Sequence, residues 1–77
     1  MEPLTQKQNE MLEFIRNHIA LAHYSPSIEE IRVMTGMKTK SHVHHHLVKL
    51  REAGYITWTP GKARTIIIQR REPHVAD

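Results

Sequence analysis

Residues 38–54 read KTKSHVHHHLVKLREAG, and four of the seven histidines in the chain fall within five consecutive positions, 42–46. Such a cluster can be a metal site, the remnant of a purification tag, or one face of a helix that reads DNA. Helical spacing begins to separate these readings. With Val43 at the centre of a buried face, Leu47 and Leu50 fall within about 40° of it at 100° per residue, and Gly54 continues the line. His46 then sits about 60° away, at the edge of the core, and His42 and His44 flank the apolar stripe at about 100° on opposite sides. His45, Val48, Lys49 and Glu52 point outward. Because the histidines are internal and keep the helical period, they do not form a tag.

The outward face suits a nucleic acid. Thr39, Lys40, Ser41, His42, His44 and His45 crowd the first turns, where helix amides also favour phosphate. Lys49 adds a cation further along, and Val48 is an apolar group able to meet a thymine methyl. Two alternatives remain. His42 and His46 are four apart, the spacing of helical zinc ligands, but no cysteine or clear third ligand accompanies them. Adventitious metal binding or a metal-responsive regulator would use this pair. His46 itself reads as a hydrogen-bonded structural residue rather than a base reader.

Composition narrows the classes. The 77 residues suit one small domain with little room for a substrate cleft. No cysteine is present, so there is neither a disulfide framework nor a thiolate metal site. The polar start, MEPLTQKQNE, does not resemble a signal peptide, and no run approaches the ~18 apolar residues of a membrane span. These features lead us to expect a soluble, cytoplasmic protein with no cofactor. Net charge is +3, with eleven Lys and Arg against eight Asp and Glu. All the cations except Lys7 and Arg16 lie beyond residue 31, and from Arg32 to Arg71 the single acid is Glu52. That asymmetry is the electrostatic footprint of a polyanion binder.

Around the central helix the chain divides readily. Thr5 and Gln8 form a capping box, and Met11, Leu12, Ile15, Ile19 and Ala22 recur on one face, predicting a first helix over about 6–22. Phe14 and Leu21 widen its stripe. Pro26 breaks it. Ser27 and Glu30 open a second box, and a short helix follows with Ile28, Ile31 and Met34 inward and Gly36 as its left-handed stop. Thr39 caps the third helix. Beyond Gly54, YITWT and RTIII are β-branched and aromatic with PGKA between them, which predicts a hairpin over about 55–59 and 64–69. Trp58 alternates in phase with Ile56, so it is expected at the core. Lys62 and Arg64, at the hairpin tip, are expected to hold phosphate. The domain is read as 1–69 and the tail 70–77 as frayed. This order gives a mainly α fold with a small β-hairpin, a winged helix-turn-helix of three helices plus a wing.

At this point the sequence resembles the winged-helix DNA-binding domain of the LexA family, the bacterial SOS repressors, over about residues 4–68. LTQKQNEMLEFIRNHI is similar to the family's first helix and YSPSIEEIRVMTGM to its second. SHVHHHLVKLREAGYI resembles its recognition helix, with Ser41, His44 and His46 as ordinary members of the pattern, and PGKARTI resembles its wing. The resemblance implies a DNA-damage repressor, bacterial or phage-encoded and nucleoid-associated, that binds a two-fold double-stranded operator as two copies. Lys40 stands where the family usually has proline, and His42 and His45 occupy variable positions, so base preference is expected to depart from the usual SOS box. The family's Ser–Lys peptidase and dimerisation domain has no counterpart in these residues. They are therefore expected to lack enzymatic activity and to be monomeric without DNA. A protein-docking role for the winged helix is the competing reading; it requires an exposed apolar patch on the third helix, where His, Lys, Ser and Thr stand instead. Protonation of an imidazole, near a reference pKa of about 6.5, preserves donation to purine acceptors. Binding is accordingly expected to tighten as pH falls from about 7.5 toward 6.

Overall fold

A computed structural model describes residues 4–69, so the expectation for the tail lies outside the described residues. Three helices, α1 (Gln6–Ala22), α2 (Ile28–Thr35) and α3 (Lys40–Glu52), precede strands β1 (Ile56–Thr57) and β2 (Ile67–Ile68). The strands pair antiparallel, Ile56 opposite Ile68 and Thr57 opposite Ile67. This is the architecture of a winged helix-turn-helix.

Local chemistry sets the helix ends. Both anticipated capping boxes form: the Thr5 hydroxyl accepts from the Gln8 amide and the Ser27 hydroxyl from the Glu30 amide, each at 3.1 Å. Gln8 and Glu30 return the favour to the cap amides, which satisfies donors that the first turn leaves without partners. Thr39 caps α3 by accepting from the His42 amide at 3.0 Å. At the other ends Gly36 and Gly54 take φ of 77° and 89°, in the left-handed region that glycine enters without strain. After each of them an amide reaches back five residues, Met37 to the Arg32 carbonyl and Tyr55 to that of Leu50. That closure is a Schellman motif.

One core joins all five elements. Met11, Leu12 and Ile15 from α1, Ile31 from α2, Val43, Leu47 and Leu50 from α3, and Ile56 and Ile66 from the hairpin are buried in one cluster. Phe14 and Trp58 pack partly buried against it.

Three expectations need correction. Met34 does not face inward and is 65% exposed. The methionine that enters the core is Met37, which the turn after Gly36 delivers there in the position where Schellman closures make an apolar contact. Leu21 is also exposed. It lies about 120° from Ile15 on the helical wheel, and in the last turn of α1 no partner reaches that far round. The strands, finally, are much shorter than 55–59 and 64–69. Lys62 donates to the Thr59 carbonyl across a turn with Pro60 and Gly61 at its centre, and Arg64 adopts φ of 58°. Neither backbone conformation can continue a ladder.

The contrast between Ile31 and Met34 is measurable. Ile31→Ala should lower unfolding free energy by about 2–5 kcal/mol, the cost of emptying a closed core site. Met34→Ala should stay within about 0.5 kcal/mol in the same urea titration.

Candidate nucleic-acid interface

The rotation of α3 distributes its polar residues over three faces. Val43, Leu47 and Leu50 are buried, which leaves Lys40, Ser41, His42, His44, His45 and Lys49 exposed and His46 half-buried. On the flank near α1, the His42 and His46 rings lie 5.1 Å apart and His45 meets His46 at 5.5 Å. On the opposite flank the His44 ring sits edge-on to Trp58 at 5.8 Å, and the Arg51 guanidinium lies 4.2 Å over the Trp58 ring. Trp58 thus borders the core as expected, and it also props the wing against α3.

A cleft of about 710 Å³ opens between the N-termini of α2 and α3 and the wing. Ile28, Leu47, Trp58 and Ile66 supply apolar lining, and Lys40, Ser41, His44 and Lys62 supply polar and cationic groups. Lys40 and Ser41 are the first two residues of α3, where helix amides have no intrahelical acceptor, so donors and a positive dipole end face the same region. Of the acids here, Glu29 is held by Arg32, with Oε2 2.7 Å from Nη2. That pairing, with the nearby charge of Lys40, keeps its carboxyl below the usual range.

The two wing cations differ. Lys62 is exposed, and among the described residues its ammonium forms no ion pair. Arg64 is engaged. Its Nη1 and Nη2 donate to the two carboxylate oxygens of Glu30 at 2.8 and 2.9 Å, and Nη1 also lies 3.3 Å from the Ser25 carbonyl. Its guanidinium carbon stands 5.0 Å from the centre of the Tyr24 ring. The Arg64 pairing, helped by the Ser27 amide, pulls the Glu30 pKa down to about 2. Sequence reasoning did not find this partner for Arg64.

Among the described residues no group of three His, Asp or Glu side chains is placed to hold a metal ion, and no helix is long and apolar enough to cross a membrane. The exposed large apolar residues among those described are Leu21, Tyr24, Val33, Met34 and Ile67, none of them on α3. The sequence profile described as "LexA DNA binding domain" matches residues 1–65. The chain belongs to that family. It is 48% identical to a LexA repressor of Caldicellulosiruptor saccharolyticus over 65 residues, 84% of this chain and 32% of the relative. Identity is 44% to a LexA repressor of Clostridioides difficile over 68 residues, 88% and 32% of the two chains. A transcription regulator LexA of Synechocystis matches at 34% over 73 residues, 95% and 36%. The chain therefore spans about a third of the length of the curated relatives it matches.

Two groups at this surface tie stability to pH in separate windows. Burial, and then the charges of His42, His45 and Lys7, hold His46 below its ordinary value of 6.5, and, contrary to the hydrogen-bonded role expected for it, its Nδ1 is buried with no hydrogen-bond partner. Because folding favours its neutral form, stability is full above pH 6.5 and declines as pH falls below that value. The Glu30 contribution is full above 4.5 and is lost as pH falls toward about 2. Acid should thus lower Tm in two stages. His46→Leu should remove the first stage alone and Glu30→Gln the second, as thermal melts across pH would reveal.

Proposed function

We propose that the domain binds double-stranded DNA sequence-specifically and acts as a transcriptional repressor of the LexA type, with DNA-damage genes as targets. The observation that carries this reading is the geometry of α3. One flank is buried in the core, and the exposed remainder presents Ser41, His42, His44, His45 and Lys49 together. A helix of this width fits the major groove, where its N-terminal residues meet base edges. Thr39, Lys40 and the free amides of the first turn are positioned for the adjoining phosphates. Lys62 reaches out from the wing on the far side of the cleft, which leaves a passage for the sugar–phosphate backbone between helix and wing.

Ser41, His42, His44 and His45 are the residues assigned to sequence readout, and Lys40, Lys49 and Lys62 those assigned to charge. Two copies on a two-fold operator, each monomeric without DNA, complete the proposal. Setting is cytoplasmic. His46 stays outside the reading set because its ring packs at the core edge.

Selection of bound duplexes from a random pool, followed by titration of the winner at several salt concentrations, tests this. Log affinity should fall with log salt at about −0.9 per neutralised phosphate. Lys62→Ala should weaken all duplexes alike and flatten the slope by roughly one unit. His45→Ala should relax preference at one base position, by about 1–3 kcal/mol. Retained base preference in His45→Ala, with preference altered in His46→Ala, would mean that α3 sits in the groove on another face. Failure of the pool to yield any enriched duplex would overturn the reading as a whole.

A further inference from the structure

We propose that Arg64 is a positioning residue for the wing, fastening it to the N-terminus of α2 through Glu30, and does not meet phosphate. The proposal rests on the DNA-binding reading for its functional consequence and on geometry alone for the fastening.

The wing's own strand pairing is slight. Its ladder consists of two residue pairs, and a two-stranded hairpin is marginal by itself. Between the strands, the Thr65 hydroxyl lies 3.1 Å from the Lys62 carbonyl and 3.3 Å from that of Thr59, and it accepts from the Thr59 amide at 2.9 Å. These bonds give the loop its shape but do not attach it to the helices. Beside the apolar packing of Trp58 and Ile66, polar attachment comes from hydrogen bonds that span more than thirty residues. Arg64 reaches Glu30 and the Ser25 carbonyl, and the Ile66 amide donates to the buried Ser25 hydroxyl at 3.1 Å.

The chemistry of the pair suits fastening. Both terminal nitrogens of Arg64 are taken by the two oxygens of one carboxylate, the fork-to-fork match that a lysine cannot make. The guanidinium also lies against Tyr24, whose edge meets the His18 ring at 5.3 Å. Arg64 adopts a left-handed backbone that a residue with a side chain rarely enters, and such conformations persist where surrounding contacts hold them. Glu30 is itself held, since one of its oxygens accepts from the Ser27 amide at 2.9 Å. The wing is therefore anchored to the rigid start of a helix. Lys62, two residues away, takes its place relative to α3 from this anchor.

The test separates fastening from phosphate contact. Arg64→Ala, Arg64→Lys, Glu30→Gln, the double variant Arg64→Ala/Glu30→Gln and Lys62→Ala would be titrated with the selected duplex across salt. Glutamine keeps the cap, as Gln8 does in α1, so Glu30→Gln removes the fastening and spares the helix start. We expect Arg64→Ala and Glu30→Gln each to weaken binding, with the double variant no worse than either single one. The shortfall from additivity should be on the order of tenfold in Kd. The salt slope should hold in these variants and flatten in Lys62→Ala, and Arg64→Lys should not restore affinity. A slope lowered by about one unit in Arg64→Ala, with Glu30→Gln neutral, would overturn the proposal in favour of phosphate contact. A second measurement needs no DNA. Hydrogen exchange at the Ile66 amide should accelerate in Arg64→Ala and Glu30→Gln while amides in the middle of α3 keep their protection. Unchanged exchange at Ile66 would refute the fastening whether or not the domain binds a duplex.

Discussion

The burial of Val43, Leu47 and Leu50 along one line of α3 is the constraint on which the rest of the molecule depends. The buried apolar set among the described residues is small, and α3 supplies three members that are almost wholly enclosed. So small a domain buries a modest share of its chain, and rotation of α3 by even one residue would bring His42, His46 and Lys49, or His44 and Arg51, into the core at a prohibitive cost. Once they are seated against Met11, Ile15 and Ile31, the direction of every other side chain on the helix is fixed. His42 and His46 turn toward the α1 side, where the charge of Lys7 reaches His46, and His44 and Arg51 turn toward Trp58. The face left over is polar, cationic at its ends and free of large exposed apolar groups, as contact with a hydrated polyanion requires.

The helices and their ends were legible because the relevant chemistry is local. Thr5 with Gln8, Ser27 with Glu30, and Gly36 and Gly54 at the stops act within four or five residues, so spacing alone reveals them. The placement of His46 at the core edge followed from the same periodicity. Met34 was misplaced for a different reason. Periodicity ranks residues within α2 but does not foresee that a left-handed glycine will swing the next side chain back under the helix. Strand length failed similarly: β propensity runs through 55–59 and 64–69, but the turn around Pro60–Gly61 and the backbone of Arg64 interrupt the pairing that propensity alone would allow. As for the interface, its members were legible as residue types on one helix face, whereas the partner of Arg64 lies 34 residues away and leaves no periodic trace.

The resemblance and the physical reading contribute different things. Family membership covers residues 1–65 and a third of the relatives' length, so it speaks for this domain and its fold. What distinguishes this member lies in side chains that the shared pattern leaves open. Lys40 brings a cation to the first position of α3 near Glu29, and His42 and His45 surround His46. Lys40, His42 and His45 all lie on the exposed part of α3, so these departures fall on the proposed contact surface and spare the core.

One further signal was present in the sequence and is understood only with the fold in view. The two capping boxes are alike in backbone geometry, but the residue that returns to the cap amide is neutral Gln8 in α1 and charged Glu30 in α2. A cap alone does not explain the charge, since either side chain supplies the same acceptor oxygen. Glu30 has a second obligation, the bidentate pair with Arg64, and it is this partner that holds its carboxylate so far below the ordinary range. A capping motif read from spacing was therefore correct as far as it went. The choice of carboxylate over amide marks the helix start that also carries the wing.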